Sequence, residues 1–339
     1  MALRAPWQDI YAMSYQTEGI DSTISFTSGF RGFGADGVYA IPLNNHPHFD
    51  PGQNIIDQRK AIGIPVRRTG SGFEFQQAHR EPRTTYEFDA NAYLLAPFFW
   101  LLFQNGASEG SSAPYAKTFT PYTSPDCEVW ASLLRKMSSS SADSHVIHGA
   151  IVRSIRLTAE TGGPLRATVE FIGYSWDDTF NASSAILNFS QTAPLLWKDA
   201  GNVAGIYVES TNLNIRGFDI TFNNNATAVY YSSQYPEKFV LGDLTVEGEI
   251  TVPWDAQTVG GNYLLNKFVN GEDVVLHIWW GSYAGNTVGD FSIKVNMRFT
   301  GAEVGGETET EVRLPFIHAF DGVNNIEVKC VDNYQMSIP

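Results

Sequence analysis

The chain has 339 residues, a formal net charge of −14 and 43% apolar residues. The apolar share excludes a disordered chain, and the charge argues against a nucleic-acid grip, which needs clustered Lys and Arg. The length predicts about two domains, and 13% aromatics with 30 glycines fit an all-β composition rich in turns.

In chain order, residues 1–50 mix short strand-like pieces with Gly-rich turns and end in Pro42, Pro47 and Pro51. The N-terminus has no basic start and no apolar run, so no signal peptide is expected. Residues 52–85 form a basic stretch read as a long loop or extended hairpin. Arg59, Lys60, Arg67, Arg68, Arg80 and Arg83 stand there against only Glu74 and Glu81 between positions 59 and 83. A basic segment in an acidic chain is suited to pair with the acidic surface of another copy, and equally to stand as a solvated loop.

Residues 84–89 alternate as a strand. Asp89 is the expected helix cap and Gly106 the residue past the helix end. The apolar residues between them surround the axis, which predicts a buried helix, and Pro97 allows it to split in two. The apolar run Tyr93–Phe103 is well short of the roughly 20 residues that cross a bilayer, so no membrane segment is expected. Strands follow at 115–122 and 128–137, then a flexible turn at 138–144. A hairpin over 148–177 turns at Gly162-Gly163, with Ile151, Arg153, Ile155 and Leu157 on one face by parity. Residues 177–206 are irregular and read as a linker. The second half restarts with strands, a short apolar element at YLLNKFVNG, and more strands to the end.

Tyr-Leu-Leu occurs at 93–95 and again at 263–265, 170 positions apart in a chain of 339 residues. Each copy follows a strand pattern, starts a short apolar segment and closes on Asn-Gly, which suggests one unit written twice. The expected fold is all-β, a sandwich or barrel with one short flanking helix per half. The expected division is 1–180 with the basic loop near 52–85, a linker at 181–206, and 207–339.

No catalytic, cofactor-binding or metal-ligating set is expected. His46 and His48 flank Pro47 with no carboxylate or Cys at ligand spacing. Cys127 and Cys330 are expected as buried free thiols. Asp177 and Asp178 read as turn residues or as a carboxylate pair for Ca²⁺ or glycoside chemistry. Trp279 and Trp280 must point to opposite sides of a strand, one into the core and the other free to stack on a sugar, pack on the helix or pack on a neighbouring subunit, and Trp280 is the inter-subunit candidate. Glu307, Glu309 and Glu311 share one strand face by period 2 and form either a solvated hairpin tip or an acidic stripe lining an aqueous channel.

The segments FDITFNNN, EKFVLGDLTVEGEITVPWD, NYLLNKFVNGEDVVLHIWWG, DFSIKVNMRFTGAEV and TEVRLPFIHAF resemble, in their order, the tail tube proteins of long-tailed, siphovirus-like bacteriophages. The first half shares the layout through FDANAYLLAPFFWLLFQNGAS, YAKTFTP and IVRSIRLTAETGGPLRATVEFIGYS, so the resemblance covers most of residues 84–332. It implies a non-enzymatic virion protein assembled in the host cytoplasm. Its rings would stack into a hollow tube that passes DNA without binding it specifically. It further implies tape measure, tail terminator and baseplate proteins as partners. Two units per chain would build a six-unit ring from three copies in place of six, with Glu307, Glu309 and Glu311 facing the lumen. The alternatives are a carbohydrate-binding or carbohydrate-cleaving β-sandwich, or a capsid decoration protein.

Overall fold

The computed structural model describes residues 10–16, 38–57, 75–109, 112–122, 124–125, 127, 129–136, 144–178, 187–189, 194–196, 204–208, 211–212, 215–231, 234–254, 261–281, 287–306, 310–320 and 326–333. Among them the strands of the first half are β1 Ile10–Gln16, β2 Val38–Ala40, β3 Gln53–Asp57, β4 Phe75–Arg80 and β5 Arg83–Asp89. Helix α1 is Ala92–Phe103. Then come β6 Gly106–Glu109, β7 Tyr115–Phe119, β8 Trp130–Lys136, β9 Ser144–Glu160, β10 Arg166–Ile172, β11 Ser175–Asp177 and β12 Leu187–Phe189. The second half carries β13 Ala204–Val208, β14 Thr211–Asn212, β15 Gly217–Asn223, β16 Thr227–Val229, β17 Lys238–Val240 and β18 Thr245–Pro253. Helix α2 is Gly261–Asn270. It is followed by β19 Asp273–Trp280, β20 Phe291–Phe299, β21 Glu303–Gly305, β22 Glu311–His318 and β23 Glu327–Asp332. The fold is all-β with few helices, as the composition predicts.

Six strands lie side by side and antiparallel in the order β5, β10, β9, β15, β18, β22. Past β22 the ladder passes to the end of β20, whose beginning pairs with β23, and β23 pairs with β7. On its other edge β20 pairs with β19, and β19 with β13. The long strand β9 serves two sheets. Its first part pairs with β8 and β11, and its second part with β10 and β15. The change of partners falls next to Gly149, whose φ of 59° lies in the left-handed region that glycine enters without a Cβ penalty.

The parity expected for this strand holds only in part. Between Ser154 and Val152 the pairing with β10 shifts register, which marks a β-bulge. Val152 therefore joins Ile155 and Leu157 in the main core, whereas Ile151 enters a smaller cluster with Trp130, Ile172, Phe239 and Leu241.

Helix α1 is the centre of the core, and all twelve of its residues are buried. It packs against β9, β23 and β7. Phe99 meets Phe222 of β15 edge-on at 5.5 Å and Phe291 of β20 at 6.2 Å, so strands of the second half wrap a helix of the first. Pro97 does not split α1, which runs through it as one helix. Both expected ends move. The cap is Asn91, whose side chain accepts from the Leu94 N–H at 2.9 Å, and the helix closes at Gln104 in the left-handed conformation, with Gly106 already in β6.

Helix α2 is unlike its counterpart. Of its residues only Gly261 and Leu264 are buried, and it lies on the surface against β22 and β20. It ends where expected, with Gly271 at φ 65° and its N–H bonded to the Phe268 carbonyl. The described parts of the expected linker are built into the sheets: β12 pairs with β2 and β13 with β19. One hydrophobic cluster runs from Tyr11 to Cys330 across both halves.

Candidate assembly and channel surfaces

The six-stranded sheet buries one side and exposes the other. Inward point Tyr86, Phe88, Val169, Ile155, Leu157, Ile220, Phe222, Ile250 and Leu314, all at most 1% exposed. Period-2 alternation then fixes the outward set. It comprises Arg83, Glu87, Asp89, Arg156, Glu160, Arg166, Glu170, Asp219, Glu247, Glu249, Glu311 and Arg313, with threonines at 85, 158, 168, 221, 245 and 251. Eight carboxylates thus face four guanidiniums across a broad polar surface.

Its charges are partly paired. Arg156 on β9 forks both oxygens of Asp219 on β15, and this hydrogen-bonded carboxylate raises the Arg156 pKa above its ordinary value. Glu249 stands directly opposite Asp219, and Glu247 lies two residues further along the same face, so negative charge accumulates beside the pair. Arg216 donates to Glu311 at 2.5 Å.

A second surface is the root of the β3–β4 hairpin. Strands Gln53–Asp57 and Phe75–Arg80 pair antiparallel, so the basic stretch is an extended hairpin at its described ends. The second half of the chain grips that root. The Arg80 N–H donates to the Gln234 carbonyl at 2.7 Å and its guanidinium to the Tyr235 hydroxyl at 2.8 Å. His79 lies over Tyr230 with ring centroids 4.1 Å apart. Burial, followed by the charge of Glu81, pushes the Tyr230 pKa up to about 12.

Of the residues singled out in the sequence, Arg59, Lys60, Arg67, Arg68, Glu307 and Glu309 lie outside the described residues. Arg80 is part of the hairpin root. Arg83 is exposed and pairs with Glu81 at 2.5 Å. Glu311 sits on the outward face of the six-stranded sheet. Trp280 is corrected: it is 1% exposed and packs on Phe218 and Phe291 at 5.9 and 5.6 Å, so it presents no ring face to a neighbouring subunit. Trp279 is also buried, which removes the stacking platform a sugar would need. Cys127 is half-buried, and only Cys330 is fully buried. His46 and His48 are exposed, and among the described residues no group of His, Cys, Asp and Glu is placed to hold a metal ion. Asp177 lies 4.0 Å from His148, and Asp178 is exposed at the strand end.

The outward polar face was missed as a unit in the sequence. Its signal was present in TTYEFD, FDITFN, TVEGEITV and EVRLPFIH, which all alternate apolar with Thr or charged residues. Only the pairing order shows that these phases meet on one surface.

No curated protein matches the chain. The model of the family described as Phage tail tube protein matches residues 65–317, about three quarters of the 339 residues, from within the basic stretch to the end of β22. An all-β chain with a continuous polar sheet face and this match belongs to the phage tail tube protein family.

Proposed function

We propose that this phage tail structural protein polymerises into stacked rings, that the outward face of β5, β10, β9, β15, β18 and β22 lines the resulting channel, and that DNA passes along it to the host. The observation that carries the reading is the composition of that face, with eight carboxylates against four guanidiniums and threonines between them. DNA has one charge per about 1.7 Å of axis, so a basic channel would hold it and a face of net negative charge lets it slide.

The sheet also bears on the copy number. Each half supplies three of the six strands, β5, β10 and β9 from one and β15, β18 and β22 from the other, meeting at the β9–β15 pair. Each half also places its helix directly before a strand hairpin, α1 before β6–β7 and α2 before β19–β20. This supports two tube units per chain, within 1–180 and 207–339. Three copies contribute about 18 strands, which at a spacing of about 4.8 Å and a tilt of about 40° close a barrel roughly 36 Å across at the backbone. Six copies would close one roughly 72 Å across, far wider than a single duplex requires. The reading is therefore a trimeric ring, assembled in the host cytoplasm and incorporated into the virion. Tape measure, tail terminator and baseplate proteins would meet the tube's interior and ends.

Electron microscopy and native mass of the purified protein at high concentration test this. Hollow tubes built from three-chain rings are expected. Rings of six chains would overturn the stoichiometry, and a protein that stays monomeric at every concentration would overturn the polymerisation.

A further inference from the structure

Lys117 and Asp332 form an ion pair in the interior, with the Lys117 ammonium donating to an Asp332 carboxylate oxygen. The side chains are 0% and 4% exposed. They stand on neighbouring antiparallel strands, β7 and β23. Lys117 is opposite Cys330, so Asp332 is its diagonal neighbour on the same face, within reach of a long side chain. Phe119 and Val328, beside them on those strands, are fully buried, and α1 closes over both strands. The two residues are 215 positions apart and bring the first half of the chain against its last strand.

Holding a full charge on each partner in such a place is costly, because the desolvation penalty of a buried pair rivals its attraction. Moving one proton from the ammonium to the carboxylate removes both charges and leaves an amine beside a carboxylic acid. Burial, the largest influence on Lys117, lowers its pKa and so favours that neutral amine. These are the reactants of an amide bond, held in contact and orientation.

We infer that Lys117 and Asp332 condense to an isopeptide bond that staples β7 to β23. The Lys117 Nζ lone pair attacks Asp332 Cγ and the tetrahedral centre collapses. One carboxyl oxygen leaves with two protons as water, one from the acid and one from the amine. Nothing is oxidised or reduced. The product is a neutral amide, and the dry interior does not return the water. The staple closes a loop over most of the chain and resists separation of β7 from β23.

Mass spectrometry of the folded full-length protein tests it. The expected intact mass is one water below that of the sequence, and digestion yields a branched peptide joining the segments around Lys117 and Asp332. The variants Lys117→Met and Asp332→Leu, singly and together, are expected at full sequence mass. If the singles fail to fold, the native chain still decides, since the branched peptide is either found or not. A native chain at full sequence mass overturns the inference, as does a lost water mapped to any other position.

Discussion

Gln104 and Val129 bind each other twice. The Val129 N–H donates to Gln104 Oε1 at 2.7 Å, and Gln104 Nε2 donates to the Val129 carbonyl at 3.0 Å, so a side-chain amide stands in for a strand. The same Nε2 also reaches the Leu101 carbonyl at 2.8 Å, and Gln104 itself sits at φ 53°. One residue thus ends α1 and tethers the segment leading into β8. In Gln104→Gly the left-handed backbone relaxes by about 1 kcal/mol while the amide clasp is lost, each bond contributing about 0.5–1.5 kcal/mol. In Gln104→Ala the clasp is lost and the strain stays. Both variants are expected to be destabilised in urea unfolding, Ala by about 1 kcal/mol more than Gly.

In the proposed tube, charge on the polar sheet face would set how DNA is treated. The double substitution Glu247→Lys, Glu249→Lys changes the balance from eight carboxylates against four guanidiniums to six against six cations. Both side chains point to solvent, so folding is expected to change by no more than about 0.5 kcal/mol. Tubes of this variant are expected to bind DNA more tightly than native tubes at low salt, the difference shrinking as salt rises. Equal behaviour of the two tubes would remove this face from the channel.

The basic stretch is a proposed contact between copies. Replacing Arg67 and Arg68 by Glu is expected to impair polymerisation, followed by light scattering, while circular dichroism and the melting temperature of the monomer stay unchanged. The described root of the hairpin explains why the fold is spared: its anchors are Arg80 and His79 on Gln234, Tyr235 and Tyr230, away from the substituted pair in sequence. Normal tubes from the double variant would exclude the hairpin from assembly.

Acid sensitivity is expected at His277. Its imidazole is mostly buried on β19 opposite Lys294, and burial first, then the Lys294 charge, lower its pKa below 6.5. As pH falls through 6.5 the unfolded chain takes up the proton before the folded one does. The stability tied to this group is therefore whole above pH 6.5, declines as pH falls towards the lower folded value, and levels off beneath it, with a slope of at most about 1.4 kcal/mol per pH unit. His277→Gln is expected to flatten this part of the stability profile between pH 7 and 5, measured by denaturant midpoints.

The two thiols are expected to differ. Cys330 is fully buried, and desolvation drives its pKa far above the ordinary range, whereas Cys127 is half-buried. A thiol reagent is expected to modify one cysteine in the native protein and two after unfolding, with peptide mapping placing the native label on Cys127.

Strand existence was legible because alternation is local: Thr84 to Asp89 and Gly217 to Asn223 declare an inner and an outer face without reference to the rest of the chain. The buried character of α1 was legible too, since its apolar residues surround the axis. Where elements end was less so. Gln104 takes the left-handed position expected of glycine because Val129, 25 residues on, rewards its side chain, and no local rule sees that partner. The bulge between Val152 and Ser154 was hidden for the same reason, being set by the pairing with β10. Trp280 was misplaced because period 2 gives opposite sides of a strand, and both sides are covered at the end of β19, where Trp279 and Trp280 lie.

The seam between β9 and β15 joins the halves along a seven-residue ladder from Ser154 to Glu160. A fragment ending before β13 would carry that edge open, with every N–H and C=O of the ladder seeking a partner. A second molecule's β15 is the matching surface. Cutting or loosening the chain near residue 203 therefore invites exchange of second halves between copies, a route to tangled oligomers. In the proposed stack of identical rings, the deep interlock of the two halves would also keep each copy from trading parts with its neighbours.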